Sequence, residues 1–542
     1  MLKQAVQLTD ALKGKKVLVM GLGLHGGGRA VVRWLVSRGA KVTATDLRDR
    51  VTLAPSLRAL KGLSVRFVLG RHRMEDFRSH DVVVVGPGVP RESPYLLAAM
   101  RAGKTIENDA SLFFRYLKNS AIAVTGTRGK TTTTLWVAEL LRKKYPLVRQ
   151  SGTPENAELE ELERINGKNV PAVVELSSWQ LEYLPKSGKT PHIAAITNIY
   201  PEHLNRYRDI KHYATAKANI FLGQHREDIL VLNHDNPWHR FFLKKRPRGV
   251  LYYISTKVLP KKLDGAYVKS GKLILRIGGK ETPLFSVVRF KEERGSHNLE
   301  NLLRAVLIAR LYDPQLPMTE RDLLRLPTPR MRQETIYREG RLTVVNDSCA
   351  TSPDGTIAAI RRFADGNTRS DDKSRVRGRT LRMTPQGPTS YTRGKSRSVV
   401  LITGGTDKEL EFDGLAAEIK RHIPKRQLVL LEGSATTKLV AALRKRKYFS
   451  AYEPLEFLDL AVCVKEAFRI AADSTRSDLK NQSSRSDLVR SRTQGRSSVS
   501  VVVLFSPGAA SFEKFLHEFD RGEQFNKLIK NSQMKMPPSR WH

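Results

Sequence analysis

The chain has 542 residues, 94 Lys and Arg against 54 Asp and Glu, a formal charge of +40 and only 2 cysteines. That length predicts two to four domains, each able to bury its own core. No apolar run reaches a membrane span and residues 1–16 lack a signal-peptide core, which points to a cytosolic enzyme rather than a membrane-spanning or secreted protein. Cys349 and Cys463 lie far apart and match neither a disulfide framework nor a metal site, so a reducing compartment fits. The positive charge admits a nucleic-acid or anionic-surface partner, a basic proteome, or basic insertions.

Lys16 to Met20 reads as an apolar strand. Gly21-Leu22-Gly23-Leu24-His25-Gly26 follows, then a helical run through Val36. A G-x-G-x-x-G turn between strand and helix lets a nucleotide diphosphate sit on the helix N-terminus. Asp46 ends the next strand, roughly twenty residues on, with Arg48 nearby. By pattern alone this is a dinucleotide fingerprint with its ribose carboxylate. The chemistry asks only for a nucleotide diphosphate and an acceptor near a ribose or base, and glycines serving a tight turn and helix packing are the plain alternative. Asp81 to Val85 is a further buried strand running into Gly86-Pro87-Gly88-Val89-Pro90, and Asn108-Asp109 opens an amphipathic helix. The first domain is expected to end near residue 118.

Ala121 to Thr125 is a strand that enters Gly126-Thr127-Arg128-Gly129-Lys130-Thr131-Thr132, followed by a helical pattern from Leu135 to Leu141. Strand, glycine turn, Lys-Thr and helix make a phosphate loop: glycines bring backbone N–H groups to phosphate oxygens, Lys130 is a point charge, and Thr131 offers a hydroxyl to Mg²⁺. The full P-loop pattern is incomplete, since its first Gly falls on Val124. Val170 to Val174 then ends in Glu175, a carboxylate placed to suit a Mg²⁺ ligand. Ile193 to Thr197 leads into Asn198-Ile199-Tyr200-Pro201-Glu202-His203, and Tyr213-Ala214-Thr215-Ala216-Lys217 follows. Ser296-His297-Asn298-Leu299-Glu300-Asn301 opens a long helix, where Asn and His are also ordinary capping residues.

Leu324 to Pro329 reads as a linker, followed by Arg332-Gln333-Glu334. Three strand ends carry polar turns: Asn346-Asp347-Ser348-Cys349-Ala350-Thr351, Gly404-Gly405-Thr406-Asp407-Lys408, and Ser506-Pro507-Gly508-Ala509-Ala510-Ser511-Phe512. Residues 366–398 and 473–498 are rich in Arg, Ser, Thr, Asp and Gly, nearly lack core residues, and read as inserted disordered loops. They offer no interleaved aromatic platform for nucleic acid.

In this order, from residue 17 to residue 525, the stretches resemble the Mur ligase family, ATP-dependent amide-forming enzymes of peptidoglycan synthesis. Gly126 to Thr132 is similar to the family's G-T-N/K-G-K-S/T-T, Glu175 to Leu181 to E-L-S-S-F-Q-L, and Asn198 to Arg206 to N-[IV]-x-x-[DE]-H-[LM]-D/N-R. Tyr213 to Lys217 is similar to Y-x-x-A-K, and His297 to Asn301 to H-N-x-x-N. The turns at Gly86, Asp347, Gly404 and Ser506 resemble the branch that adds D-glutamate; Cys349 departs from that branch's lysine, and a G-N-[IL]-G turn expected near Ser151 to Asn156 has no clear match.

The resemblance implies an α/β fold of three domains: a Rossmann-like UDP-substrate domain at 1–118, a P-loop-type ATPase domain with a central, mostly parallel sheet at 119–326, and a Rossmann-like amino-acid-binding domain at 327–542. It implies addition of D-glutamate to UDP-N-acetylmuramoyl-L-alanine, with ATP and two Mg²⁺ ions. The alternatives are another Mur-type or folylpolyglutamate-like ligase and, more distantly, a basic nucleic-acid-binding P-loop ATPase. The implied UDP-substrate residues are Gly23, Leu24, His25, Asp46, Arg48, Gly86, Pro87 and Gly88. ATP would meet Gly126, Thr127, Arg128, Gly129, Lys130, Thr131, Thr132, Asn298, Arg332 and Asp347. Catalysis would fall to Lys130, His203 and Lys217, and the metals to Thr131, Glu175, His203 and a carbamylated Lys217. D-Glutamate would meet Thr351, Lys408 and Ser511. Small-molecule substrates, no nucleic acid and a monomer complete the expectation.

Overall fold

The structure is a computed structural model and describes residues 10–24, 26–153, 156–203, 206–364, 397–450, 456–483 and 500–533. It is α/β throughout, with three sheets. The described residues fall into two compact units, 1–327 and 328–542.

The first unit begins with a 5-stranded sheet of β1 (Lys16–Met20), β2 (Lys41–Asp46), β3 (Val65–Leu69), β4 (Val82–Val85) and β5 (Thr105–Glu107), in the order β3-β2-β1-β4-β5. All its pairings are parallel. Runs such as Val82-Val83-Val84-Val85 suit a parallel sheet, where helices cover both faces and no alternation of polar residues is needed.

The second sheet has 9 strands: β6 (Ala121–Thr125), β7 (Gln150–Ser151), β8 (Ala172–Glu175), β9 (Ile193–Ile196), β10 (Ile229–Asn233), β11 (Val250–Ser255), β12 (Gly265–Lys269), β13 (Lys272–Ile277) and β14 (Lys280–Ser286). Their order is β14-β13-β12-β11-β10-β9-β6-β8-β7, parallel from β7 to β12 and antiparallel in the final hairpins. β6 lies between β8 and β9, so the loops leaving these three strands open on one end of the sheet. One apolar core runs through both sheets, from Val17 and Leu35 through Phe113 to Val137 and Leu302. The junction expected near residue 118 therefore falls inside one compact unit.

The second unit holds a 5-stranded sheet of β15 (Glu334–Glu339), β16 (Leu342–Asn346), β17 (Arg397–Gly404), β18 (Leu428–Leu431) and β19 (Ser500–Phe505), ordered β15-β16-β19-β17-β18. Only β15 is antiparallel to its neighbour. Separate apolar cores cover its two faces. Most of both expected insertions, residues 365–396 and 484–499, lies outside the described residues. The helix Leu460–Ser483 reaches into the second one, so the disordered loop expected from residue 473 is helical at its start. Apolar Ala467, Phe468 and Ala471 bury its preceding turns, and the helix continues past them.

Candidate functional site

The centre of the first unit is the loop between β6 and the helix Lys130–Arg142. Gly126 (φ +142°) and Gly129 (φ +82°) adopt backbone angles that side chains rarely tolerate, and a Cβ on either would overlap Thr197 Oγ1 or the Asn301 side chain. Thr127 N–H donates to the Asn198 carbonyl at 2.9 Å, and Arg128 N–H to Asn198 Oδ1 at 2.8 Å. The neighbouring strand loop thus fixes the shape of the glycine loop. No side chain caps the helix at Gly129, so its first-turn N–H groups face outward with the positive end of the helix dipole.

Charged groups from four elements meet this loop. Lys130 Nζ lies 4.0 Å from Glu175 Oε1 and 3.2 Å from the Thr127 carbonyl. Glu175 Oε2 is buried without a hydrogen-bond partner. Arg128 Nη1 pairs with Glu202 Oε1 at 2.7 Å. Burial pushes the Glu202 carboxyl up, but the charges of Arg128, His203 and Lys130 outweigh it and hold it at about 2. His203 has φ +57°, a left-handed conformation that a non-glycine residue adopts at some cost, and its ring packs edge-on against Trp179 with centroids 5.2 Å apart. Lys217 is 1% exposed; its Nζ donates to the Gly126 carbonyl at 2.9 Å and to Thr125 Oγ1 at 3.3 Å, 4.7 Å from the centre of the Tyr213 ring. Burial, then the charge of Lys130, pushes its ammonium well below the usual range. Within the helix His297–Tyr312, Asn298 Oδ1 accepts from Asn301 Nδ2 at 3.1 Å, and Asn301 Oδ1 accepts from Thr133 Oγ1 at 3.4 Å, which ties that helix to the one that follows the loop.

Among the described residues no three His, Cys, Asp or Glu side chains form a preformed metal cluster. Mg²⁺ suits this donor set nonetheless, because it keeps several waters and is held by one or two carboxylates plus substrate phosphates. The buried unpartnered oxygen of Glu175 is such a donor.

The first sheet carries the other glycine loop. Gly23 N–H donates to Asp46 Oδ2 at 3.0 Å and Arg48 N–H to Asp46 Oδ1 at 2.9 Å, so Asp46 is buried and shapes the turn. A Cβ on Gly28 would overlap the Leu22 carbonyl, because the helix packs closely on the turn that precedes it. Leu24 lies in the same turn, and His25 lies outside the described residues. Gly86, Pro87 and Gly88 lie beside it, Gly86 N–H donating to the Met20 carbonyl at 2.8 Å. This turn is tied to the second sheet by Arg206, whose Nη1 donates to the Val89 carbonyl and whose Nη2 pairs with Glu182 Oε2, both at 3.0 Å. Between them lies a small pocket lined by Gly86, Pro87, Asp109, Trp179, Gln180 and Arg206. At its base the Gln180 amide donates to both Asp109 and Glu158. Burial raises both carboxyls, and the Asp109 charge raises Glu158 further.

The second unit gathers three loops by itself. Gly404 N–H donates to the Pro507 carbonyl, Gly508 N–H to Ala350, and Thr406 and Ala510 exchange two backbone bonds. The fully buried Arg521 clamps them, donating to the carbonyls of Ser348, Ala509 and Ala510. Thr351, Lys408 and Ser511 stand on these loops; Lys408 Nζ lies 5.5 Å from the Phe512 ring centre, and Ser511 Oγ is buried without a partner. Asp347 accepts from Ser506 Oγ at 2.7 Å and from Gln333 N–H at 2.9 Å, and burial pushes it up to about 7. The charge of Arg332 acts on the Asp347 carboxyl and partly opposes the effect of burial. Burial pushes the Cys349 thiol up to about 12, so it carries no charge at neutral pH.

Sequence reasoning assigned no role to Glu202, Asn198, Glu158 or Arg521. Glu202 and Asn198 stood beside His203 in a stretch already singled out, and Arg521 stands in Phe519-Asp520-Arg521-Gly522, a further family-like stretch; Glu158 had no local signal.

Residues 124–309 match the Mur ligase middle domain and residues 15–107 the Mur ligase MurD-like N-terminal domain. The chain is 36% identical over 530 residues to the UDP-N-acetylmuramoylalanine–D-glutamate ligase of Roseiflexus sp. (strain RS-1), covering 96% of this chain and 99% of that one. It is 31% identical over 529 residues to the enzyme of the same name from Borreliella burgdorferi (strain ATCC 35210), covering 97% and 99%. In fold it is similar to the crystal structure of UDP-N-acetylmuramate-alanine ligase from Thermotoga maritima, with a TM-score of 0.54 and 17% identity over 96% of this chain and 100% of that one.

Proposed function

The chain belongs to the Mur ligase family, and from that we propose that it is the ATP-dependent ligase that joins D-glutamate to UDP-N-acetylmuramoyl-L-alanine in peptidoglycan synthesis. The observation that carries this reading is the similarity, over nearly the whole chain, to ligases named for that reaction. The three parts of the molecule are assigned to the UDP-substrate (1–118), ATP (119–326) and the amino acid (327–542).

A carboxylate does not react with an amine at neutral pH. The substrate carboxylate therefore takes the γ-phosphoryl group of ATP, releasing ADP and giving an acyl phosphate. The amine of D-glutamate attacks the acyl carbon, and phosphate leaves from the tetrahedral intermediate as the amide forms. Two anions must meet in the first step, so the site has to supply positive charge and hold the line of attack. Backbone N–H groups of Gly126 to Thr132 and the Lys130 ammonium hold the phosphates, with Arg128 kept in place by Glu202. Asn298, Arg332 and Asp347 serve the rest of the nucleotide. Thr131, Glu175, His203 and a carbamylated Lys217 would hold Mg²⁺. When bound, Mg²⁺ neutralises charge on the phosphates and the approaching carboxylate. Lys217 suits carbamylation because burial moves its ammonium well below the usual range and so favours the free amine that attacks CO₂, and the adduct is an anionic oxygen donor. Gly23, Leu24, His25, Arg48, Gly86, Pro87 and Gly88 hold the UDP part, and Asp46 acts by fixing Gly23 and Arg48. Lys408 pairs with the amino-acid carboxylate while Thr351 and Ser511 donate to it; the unpartnered Ser511 hydroxyl supports this. No described helix is long and apolar enough to cross a membrane. The enzyme is assigned to the cytoplasm as a monomer, and its two free, buried cysteines fit a reducing compartment.

Phosphate release measured with UDP-N-acetylmuramoyl-L-alanine and a panel of amino acids tests the reading. Only D-glutamate should stimulate turnover, and only with the UDP-substrate present. Stimulation by L-alanine or meso-diaminopimelate would move the chain to another ligase class, and stimulation by nucleic acid would overturn the assignment.

A further inference from the structure

Behind the phosphate loop lies a buried guanidinium that the reaction above does not use. Arg304 is 0% exposed and interrupts the buried apolar run Leu302, Leu303, Ala305, Val306 of the helix His297–Tyr312. Its Nη2 donates to the Thr197 carbonyl at 3.1 Å and its Nη1 to Thr133 Oγ1 at 3.4 Å, while Nε has no acceptor. These two acceptors flank the loop. Thr197 follows β9, bonds the Thr125 carbonyl through its N–H at 2.8 Å, and turns its hydroxyl toward Gly126. Thr133 lies in the first turn of the loop helix and donates its N–H to the Gly129 carbonyl at 2.9 Å.

We infer that Arg304 supplies the phosphate loop with a fixed positive charge from its buried side and so raises the affinity for ATP; the inference rests on the ATP-binding role proposed above. Although burial lowers the guanidinium to about 10, it stays protonated at neutral pH. The acidic group that acts on it is Glu300, one helical turn earlier, whose Oε2 accepts from Asn233 Nδ2 at 2.8 Å. Burial pushes the Glu300 carboxyl up, and the hydrogen bond it makes is with Asn233 rather than with Arg304. A buried cation with no close anion is costly unless an anion arrives, and the phosphates at the loop are that anion. The intervening protein excludes water and salt, so the attraction is carried at low dielectric and is poorly screened. Lys130 touches the phosphates; Arg304 acts on them through the loop and is a positioning residue.

The test compares Arg304→Lys, Arg304→Gln and Arg304→Met in the full chain, by calorimetric binding of ATP with Mg²⁺ and by KM for each substrate. Lysine keeps the charge and loses the forked geometry; glutamine keeps a donor for the Thr197 carbonyl and loses the charge. Arg304→Lys should bind ATP within about threefold of wild type, and Arg304→Gln and Arg304→Met roughly tenfold more weakly, with the KM for the UDP-substrate unchanged. Wild-type affinity in Arg304→Gln would overturn the inference, as would Arg304→Lys binding as weakly as Arg304→Met, or parallel changes in both KM values. Failure of all three to fold would make Arg304 a purely structural residue and overturn it too. Wild-type protein that binds ATP without D-glutamate-dependent turnover would defeat the functional reading, and the ATP affinities of the variants would still decide the role of Arg304.

Discussion

The loops at Gly21–Gly26 and Gly126–Gly129 share a backbone plan. Each leaves a parallel strand, turns through positive-φ glycines and opens a helix that no side chain caps. Their surroundings differ. At the second loop Arg128 and Lys130 stand in the loop and at the start of its helix, Lys217 approaches from a separate helix, and there is no room for a Cβ at Gly126 or Gly129. At the first, a Cβ on Gly23 would meet open space, and the Gly23 N–H is taken by the Asp46 carboxylate. On the proposed function, one loop brings charge onto phosphates that react and the other seats a diphosphate that does not. The shared fold element sets where an anion sits, and neighbouring side chains set whether chemistry happens there.

The sharpest break of this contrast is a methyl group on each loop. Gly126→Ala drives a Cβ into Thr197 and should cut turnover by roughly 100-fold or more through displacement of the phosphates. Gly23→Ala meets only the strain of a positive φ, about 1 kcal/mol, and should change the KM for the UDP-substrate no more than about fivefold. Steady-state kinetics alongside thermal melting separate the two, and equal losses would erase the difference drawn here.

Lys217→Arg sharpens the comparison from the side of charge. Arginine places a permanent cation beneath Gly126 and does not form a carbamate, so turnover should fall by about 100-fold or more while calorimetry finds the UDP-substrate still bound. Near-normal turnover would remove Lys217 from the reaction. A smaller effect than that of Lys217→Arg is expected for Asp46→Asn, which keeps one acceptor for the two N–H donors. It should raise the KM for the UDP-substrate by about threefold to tenfold and leave that for ATP unchanged. A matching rise for ATP would show that the two loops act on one another.

Much of the candidate site was legible because its residues lie next to the strands that carry them. Glu175, His203 and Lys130 each follow a strand of one sheet, and strand–turn–helix patterns place such residues at one sheet end. Lys217 was legible only through the family resemblance, since a helical lysine looks solvated until tertiary packing buries it. Arg304 left one trace, a lone charge inside an apolar helical run, which does not reveal what lies beyond it. Asp46 was read as ligand-facing, yet its oxygens are turned onto Gly23 and Arg48, a choice made by the loop's own unpaired N–H groups.

The sequence by itself determined the α/β class, the order of the phosphate-binding turns and the chemistry of the loop residues. Those depend on local backbone freedom, hydrophobic period and side-chain type, all written within a few residues. Tertiary structure alone decided which charges are buried and against what. The Glu175 oxygen without a partner, the Lys217 amine under Gly126, the Gln180 amide between Asp109 and Glu158, and the Arg304 cation behind the loop all depend on contacts between distant segments. The energy of a charge is set by its surroundings, and those surroundings exist only once the sheets and helices have packed.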